Sequence, residues 1–194
     1  MHLQRRQFAL FALAALSACA QAPSQRLGAP EHRVESVRVY AWGAGDAALG
    51  GVGAERFVQT LHRNGLPVAG FVGLDRALPD VAALERAWGD ASRPAGATHA
   101  LVLTRQRLDT FGSATYIRYE AVLWSAASRK LVWQSTLASL SNLAGETSAQ
   151  RAEKLAGDAL RGLARDGFVA LSAPAPRDAT GGEIAPTLVP VQIR

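Results

Sequence analysis

One thiol, a few scattered imidazoles and carboxylates, and one stretch rich in aromatic and charged residues are the groups here that could do chemistry. The thiol is Cys19, the only cysteine in 194 residues, so no disulfide closes within the chain. His32, His62 and His99 stand far apart, without the H-x-x-x-H or H-x-x-E-H spacing that sets two imidazoles on one helix face for zinc. They read as surface or packing residues. No G-x-S-x-G elbow is present to expose an activated serine. Asp75, Asp80, Glu85 and Asp90 surround one expected helix and read as its solvated face, whereas a glycosidase needs two carboxylates facing each other across a cleft. Gly43-Ala44-Gly45-Asp46-Ala47-Ala48 follows an expected strand and loosely fits the glycine fingerprint that brings backbone close to a pyrophosphate. Gly50, Gly51 and Gly53 interrupt the helix that should start at once, and Asp75 lies about 30 positions past Gly45 instead of about 20. A loop between strand and helix accounts for that stretch. Tyr116, Arg118, Glu120 and Trp124 share one face of an alternating strand, with Trp133 across the next turn. Such a face is either a platform for a peptide or glycan partner or a core surface roofed by helices.

The flanks of Cys19 give it a role. His2, Arg5 and Arg6 form a basic start, and Phe8 to Ala18 is an uncharged, mostly apolar run. That run is too short for the roughly 20 residues of a membrane-spanning helix but suits the roughly 7–15 of a signal-peptide core. It ends in Leu16-Ser17-Ala18-Cys19. These four residues resemble the lipobox of bacterial lipoprotein precursors, in which an aliphatic residue and two small ones precede an invariant cysteine. The resemblance implies that residues 1–18 are a signal peptide recognised through Leu16, Ser17 and Ala18. Cys19 is then the lipidation site, carrying a diacylglycerol thioether and a further acyl chain such as palmitate on its amine. Two chains suffice for stable anchoring. Ala20 is not the Asp that tends to retain such proteins in the inner membrane, so the resemblance points to the outer membrane, facing the periplasm. Arg5-Arg6-Gln7-Phe8 also looks like part of a twin-arginine export motif, although Gln4 and Ala9 depart from it; twin-arginine and general secretory export both stay open.

The elements that would position the strand face follow from periodicity. Residues 19–33 read as a lipidated tether, polar and broken by Pro and Gly; Ala20 to Arg33 would reach roughly 45 Å when extended. Residues 34–171 read as a single α+β domain. Strands are expected at Val34–Trp42, Pro67–Leu74, Ala97–Leu108, Thr115–Trp124 and Leu131–Leu140, and helices at Ala54–Arg63, Leu78–Ala91 and Ser148–Arg165. Their order is β-α-β-α-β-β-β-α: a mixed sheet whose last three strands form an antiparallel meander, with helices packed on it. Thr147 and Gln150 fit a capping box for the last helix. Gly157 and Gly162 within that helix either weaken it or permit close packing on the sheet. Residues 172–194, with four Pro and two adjacent Gly, read as a flexible tail, although Thr187 to Ile193 is apolar enough to dock.

The stretch from Ala97 to Phe168 is similar to a set of small proteobacterial envelope lipoproteins and to the amino-terminal domain of TolB. The likeness rests on Tyr119-Glu120-Ala121-Val122-Leu123-Trp124, then Leu131-Val132-Trp133, then a helix ending Leu163-Ala164-Arg165-Asp166-Gly167. It implies a non-catalytic adaptor that works with an envelope protein. The net charge of +5 is spread along the chain, and two of its cations, Arg5 and Arg6, sit in the leader, so no nucleic-acid partner is expected. The expected function is thus a membrane-anchored periplasmic binding or assembly module. It is not an enzyme and has no cofactor or metal beyond covalent lipid. An enzyme acting on envelope polymers and a structural membrane-to-wall linker are the alternatives.

Overall fold

A computed structural model of the chain describes residues 24–28, 33–42, 49–90, 96–111, 114–141 and 146–171. The expected signal peptide 1–18, the expected lipobox with Cys19, His32, residues 43–48 and the expected tail 172–194 lie outside the described residues. The side chains of Tyr116 and of the residues from 107 up to it also lie outside them.

The described elements run β1 (Ser24–Arg26), β2 (Val37–Trp42), α1 (Val52–Arg63), β3 (Val68–Leu74), α2 (Val81–Asp90), β4 (His99–Phe111), β5 (Ala114–Ser125), β6 (Lys130–Ser141) and α3 (Ser148–Arg165). They form an α+β fold on one six-stranded sheet in the order β1-β6-β5-β4-β2-β3. β2 pairs in parallel with both β3 and β4, while β4-β5-β6 is antiparallel, so the sheet is mixed and the meander makes up only part of it.

This order dictates where the helices go. From β2 the chain crosses outward to β3 and then back over β2 to β4. Crossovers between parallel strands are right-handed, so reversing the direction of travel moves the connecting helix to the opposite face. Accordingly Phe57 and Leu61 of α1 join the larger core with α3, whereas Leu84 of α2 sits in a second core on the other face. β2 is therefore buried on both sides: Val37, Val39 and Ala41 face α1 and α3, and Tyr40 faces α2. On β5 the expected alternation holds, with Ile117, Tyr119, Ala121 and Leu123 all in the larger core.

α3 closes that core. Thr147 accepts from the Gln150 amide at 3.2 Å, and the Gln150 side chain accepts from the Thr147 amide at 2.8 Å, which completes the capping box. The stripe from Ala152 through Leu155, Ala156, Ala159 and Leu160 to Leu163 is buried on the sheet.

The observed order carries one strand more than the sequence reading. Within the expected tether, β1 pairs antiparallel with β6, Ser24 opposite Ser135 and Arg26 opposite Trp133. Three polar residues in a row carry no period; they are strand because an edge of β6 offers its backbone groups. A clasp adds to the pairing. The Ser24 hydroxyl and the Trp133 Nε1–H, the latter at 2.8 Å, both donate to Asp166 Oδ2 just past α3. The turn expected at Asp109–Ser113 is also narrower, because β4 runs on to Phe111 and β5 begins at Ala114. Among the described residues no helix is long and apolar enough to cross a membrane.

Candidate functional site

The face of β5 singled out by the sequence divides into a covered half and an open half. In the first cross-strand row, Arg38 lies between Gly70 and Ala100, followed by Trp124 and Leu131; in the second, Tyr40 is flanked by Val72 and Val102, followed by Val122 and Gln134. α2 roofs these two rows. Trp124 is only 2% exposed and packs edge-on against Trp88 of α2, ring centroids 5.4 Å apart. Small residues on both sides of Arg38 give its side chain room to lie under the helix. Its guanidinium donates to the Tyr40 hydroxyl at 3.2 Å and stands 5.0 Å from the centre of the Trp88 ring. The Tyr40 hydroxyl donates on to the Ala87 carbonyl at 3.3 Å. Burial pushes the Tyr40 phenol above its ordinary pKa, against the opposing hydrogen bond and positive charge of Arg38.

Trp124 is therefore a core residue: of the two readings of this face, the one roofed by a helix holds at Trp124. Alternation along a strand separates the two faces but does not show how far a short helix reaches across one of them. Trp133 leaves that face as well. A bulge between Leu123 and Trp124 sets it opposite Leu123, so it enters the larger core.

Past α2 the same face is polar and open. In the third row Thr104, Glu120 and Thr136 lie side by side on β4, β5 and β6. Both Glu120 oxygens are held, one by Gln106 Nε2 and the other by Gln134 Nε2, each at 2.6 Å. Arg118, opposite Ala138, is exposed. Tyr116 continues the series in register, opposite Leu140. The three strands outrun their neighbours here. β2 pairs with β4 only as far as Thr104, and β1 pairs with β6 only as far as Ser135. Among the described residues, β4 beyond Thr104 and β6 beyond Ser135 thus have strand neighbours on the β5 side alone. The open part is a polar surface bordered by two strand edges that have no strand neighbour among the described residues.

The other candidate groups are dispersed. His62 is exposed on α1 and His99 is buried at the start of β4. Asp80 Oδ1 accepts from the Ala83 amide at 2.7 Å and so caps α2, while Glu85 is taken up by an exposed pair with Arg129 at 2.6 Å. Among the described residues no three of His, Cys, Asp and Glu come together.

No protein-family model and no curated protein matches the chain. Two solved structures of the PelC dodecamer from Paraburkholderia phytofirmans are similar to it, one of them of a single-residue variant. Each is 17% identical, over 73% of this chain and 96% of that chain, with TM-scores of 0.46 for the variant and 0.44 for the other.

Proposed function

We propose that the chain is an envelope lipoprotein, cut before Cys19 and held by lipid on that cysteine at the outer membrane, facing the periplasm. Its domain is a non-catalytic binding or assembly module that presents the open half of the β4-β5-β6 face to a protein partner. The observation that carries the second part is the abrupt change along β5, from Trp124 and Val122 under α2 to Glu120 and Arg118 beyond it. A polar face with an ordered carboxylate and an exposed guanidinium favours a specific, polar contact. The bordering strand edges suit pairing with an extended segment of the partner.

Two measurements test the two parts. Palmitate labelling in cells is expected to be lost in Cys19→Ala; labelling that survives overturns the anchor. A photo-crosslinker placed at Thr136 is expected to capture one envelope protein, and Arg118→Glu with Glu120→Lys is expected to abolish that capture. An adduct unaffected by the double change, or none at all, overturns the face as the docking surface.

A further inference from the structure

A polar concavity lies at the opposite end of the sheet, on the face that carries α1 and α3. The cavity is about 370 Å³ in volume. Its floor is one cross-strand row: His99 opposite Ser125, and Ser125 opposite Lys130. His99 is 6% and Ser125 7% exposed, so the floor is part of the folded core and not a surface accident. Its geometry is fixed from behind. The Thr98 hydroxyl lies 3.0 Å from the Ser36 carbonyl and shares a hydrogen bond with His99 Nδ1 at 2.9 Å, which fixes the imidazole. The Ser125 hydroxyl accepts from the Ser128 amide at 3.3 Å, which leaves its hydrogen to be donated into the cavity. Arg33 and Lys130 stand at the rim, both exposed, and neither forms an ion pair among the described residues, although Glu35 lines the same cavity. Leu27, Val132 and Phe168 make the remaining wall apolar, and Leu27 is 42% exposed.

The mouth lies at the far end of β1 from the expected anchor, since β1 enters beside Ser135 at Ser24 and leaves beside Val132 at Leu27. Leu27 and Gly28 follow β1, and only five residue steps separate Cys19 from Ser24. Even fully extended they span no more than about 18 Å. On the lipoprotein reading proposed above, the docked β1 converts a long tether into a shorter one, and eight residue steps hold Leu27 at the mouth within about 29 Å of Cys19. Arg26 and Arg165 are exposed beside that path.

We infer that this cavity binds the phosphate headgroup of an anionic phospholipid, with Arg33 and Lys130 meeting the phosphate, Ser125 donating from the floor, and Leu27 lying against the acyl region. The cations supply charge, the hydroxyls supply donors, and the apolar wall separates a lipid from a free anion.

The test uses the full-length chain in neutral detergent, titrated with dihexanoyl phosphatidylglycerol, dihexanoyl phosphatidylcholine and inorganic phosphate, with backbone amides followed by NMR. Phosphatidylglycerol is expected to shift the Ser125, Ser128 and Lys130 amides saturably. Phosphatidylcholine should leave them unmoved, and phosphate should need at least a tenfold higher concentration. Arg33→Glu with Lys130→Glu should weaken the phosphatidylglycerol response at least tenfold while the other amides keep their positions. Equal responses to the two lipids, phosphate binding as tightly as phosphatidylglycerol, or an unaffected double variant would each overturn the inference. This readout does not depend on acylation. A chain that takes no palmitate yet binds phosphatidylglycerol here keeps the pocket and loses the anchor, and a labelled chain whose amides ignore the lipid loses the pocket alone.

Discussion

A β-carbon on Gly162 would stand 2.8 Å from Cζ2 of Trp133, closer than real side-chain carbons come. The helix α3 thus lies on the sheet at a distance that only glycine permits, and the indole fills the space. Gly162→Ala is expected to destabilise the domain by about 1–3 kcal/mol through overpacking, despite the roughly 0.8–1 kcal/mol gain in helix propensity. Gly157 is the control. Its nearest neighbour would be the far end of the flexible Arg161 side chain at 3.4 Å. Gly157→Ala should therefore stabilise by about 0.5–1 kcal/mol. Urea denaturation of the two variants should move the midpoint in opposite directions.

The same indole joins β1 to the core. Trp133→Ala should cost about 3–5 kcal/mol, as expected for a fully buried aromatic. Asp166→Ala leaves the Trp133 Nε1–H without its acceptor and releases Ser24, at about 1–3 kcal/mol for the orphaned buried donor. The second consequence is local. The Leu27 amide, bonded to the Val132 carbonyl at 3.0 Å, should exchange with solvent much faster in Asp166→Ala while amides in the centre of β5 change little. Equal acceleration in both places would mean that β1 does not open as a separate unit.

How much of this could be read from the sequence depends on the range of the interaction. β5, α3 and the capping box were legible because period and cap spacing are local properties of a few residues. Whether Gly162 weakened α3 or admitted a neighbour was undecidable, since that neighbour lies on β6. β1 was missed because Ser24-Gln25-Arg26 has no pattern of its own; its partners, Ser135 and Asp166, are more than a hundred residues away in sequence. The strand face was legible as a face, yet the boundary between Val122 and Glu120 is set by where α2 ends, and that follows from tertiary packing. The cavity at His99 and Ser125 had no sequence signal, because strand register alone brings those two residues opposite each other.

The amino end of α3 offers a cleaner local test. Thr147 and Gln150 satisfy each other's backbone amides reciprocally. Thr147→Ala should cost about 1 kcal/mol, the usual loss for such a cap, and Thr147→Ser should restore most of it. A loss under about 0.3 kcal/mol for Thr147→Ala would mean that water replaces the cap.

Tyr40 makes stability depend on pH in the alkaline range. In the unfolded chain its phenol ionises near the ordinary value of about 10; in the folded chain burial raises that value. The folded state therefore holds the proton longer. Its contribution is fully present below the unfolded pKa and is lost as pH rises from there through the folded value. Stability should fall above pH about 10. Tyr40→Phe should shed that part of the slope, so that wild type and variant converge as pH rises. At neutral pH the variant should be less stable by about 1–2 kcal/mol, because Arg38, 2% exposed and without a carboxylate partner among the described residues, loses the hydroxyl it donates to. Parallel curves from pH 8 to 11.5 in urea denaturation would show that Tyr40 ionises as easily folded as unfolded, and that α2 does not keep water from its hydroxyl.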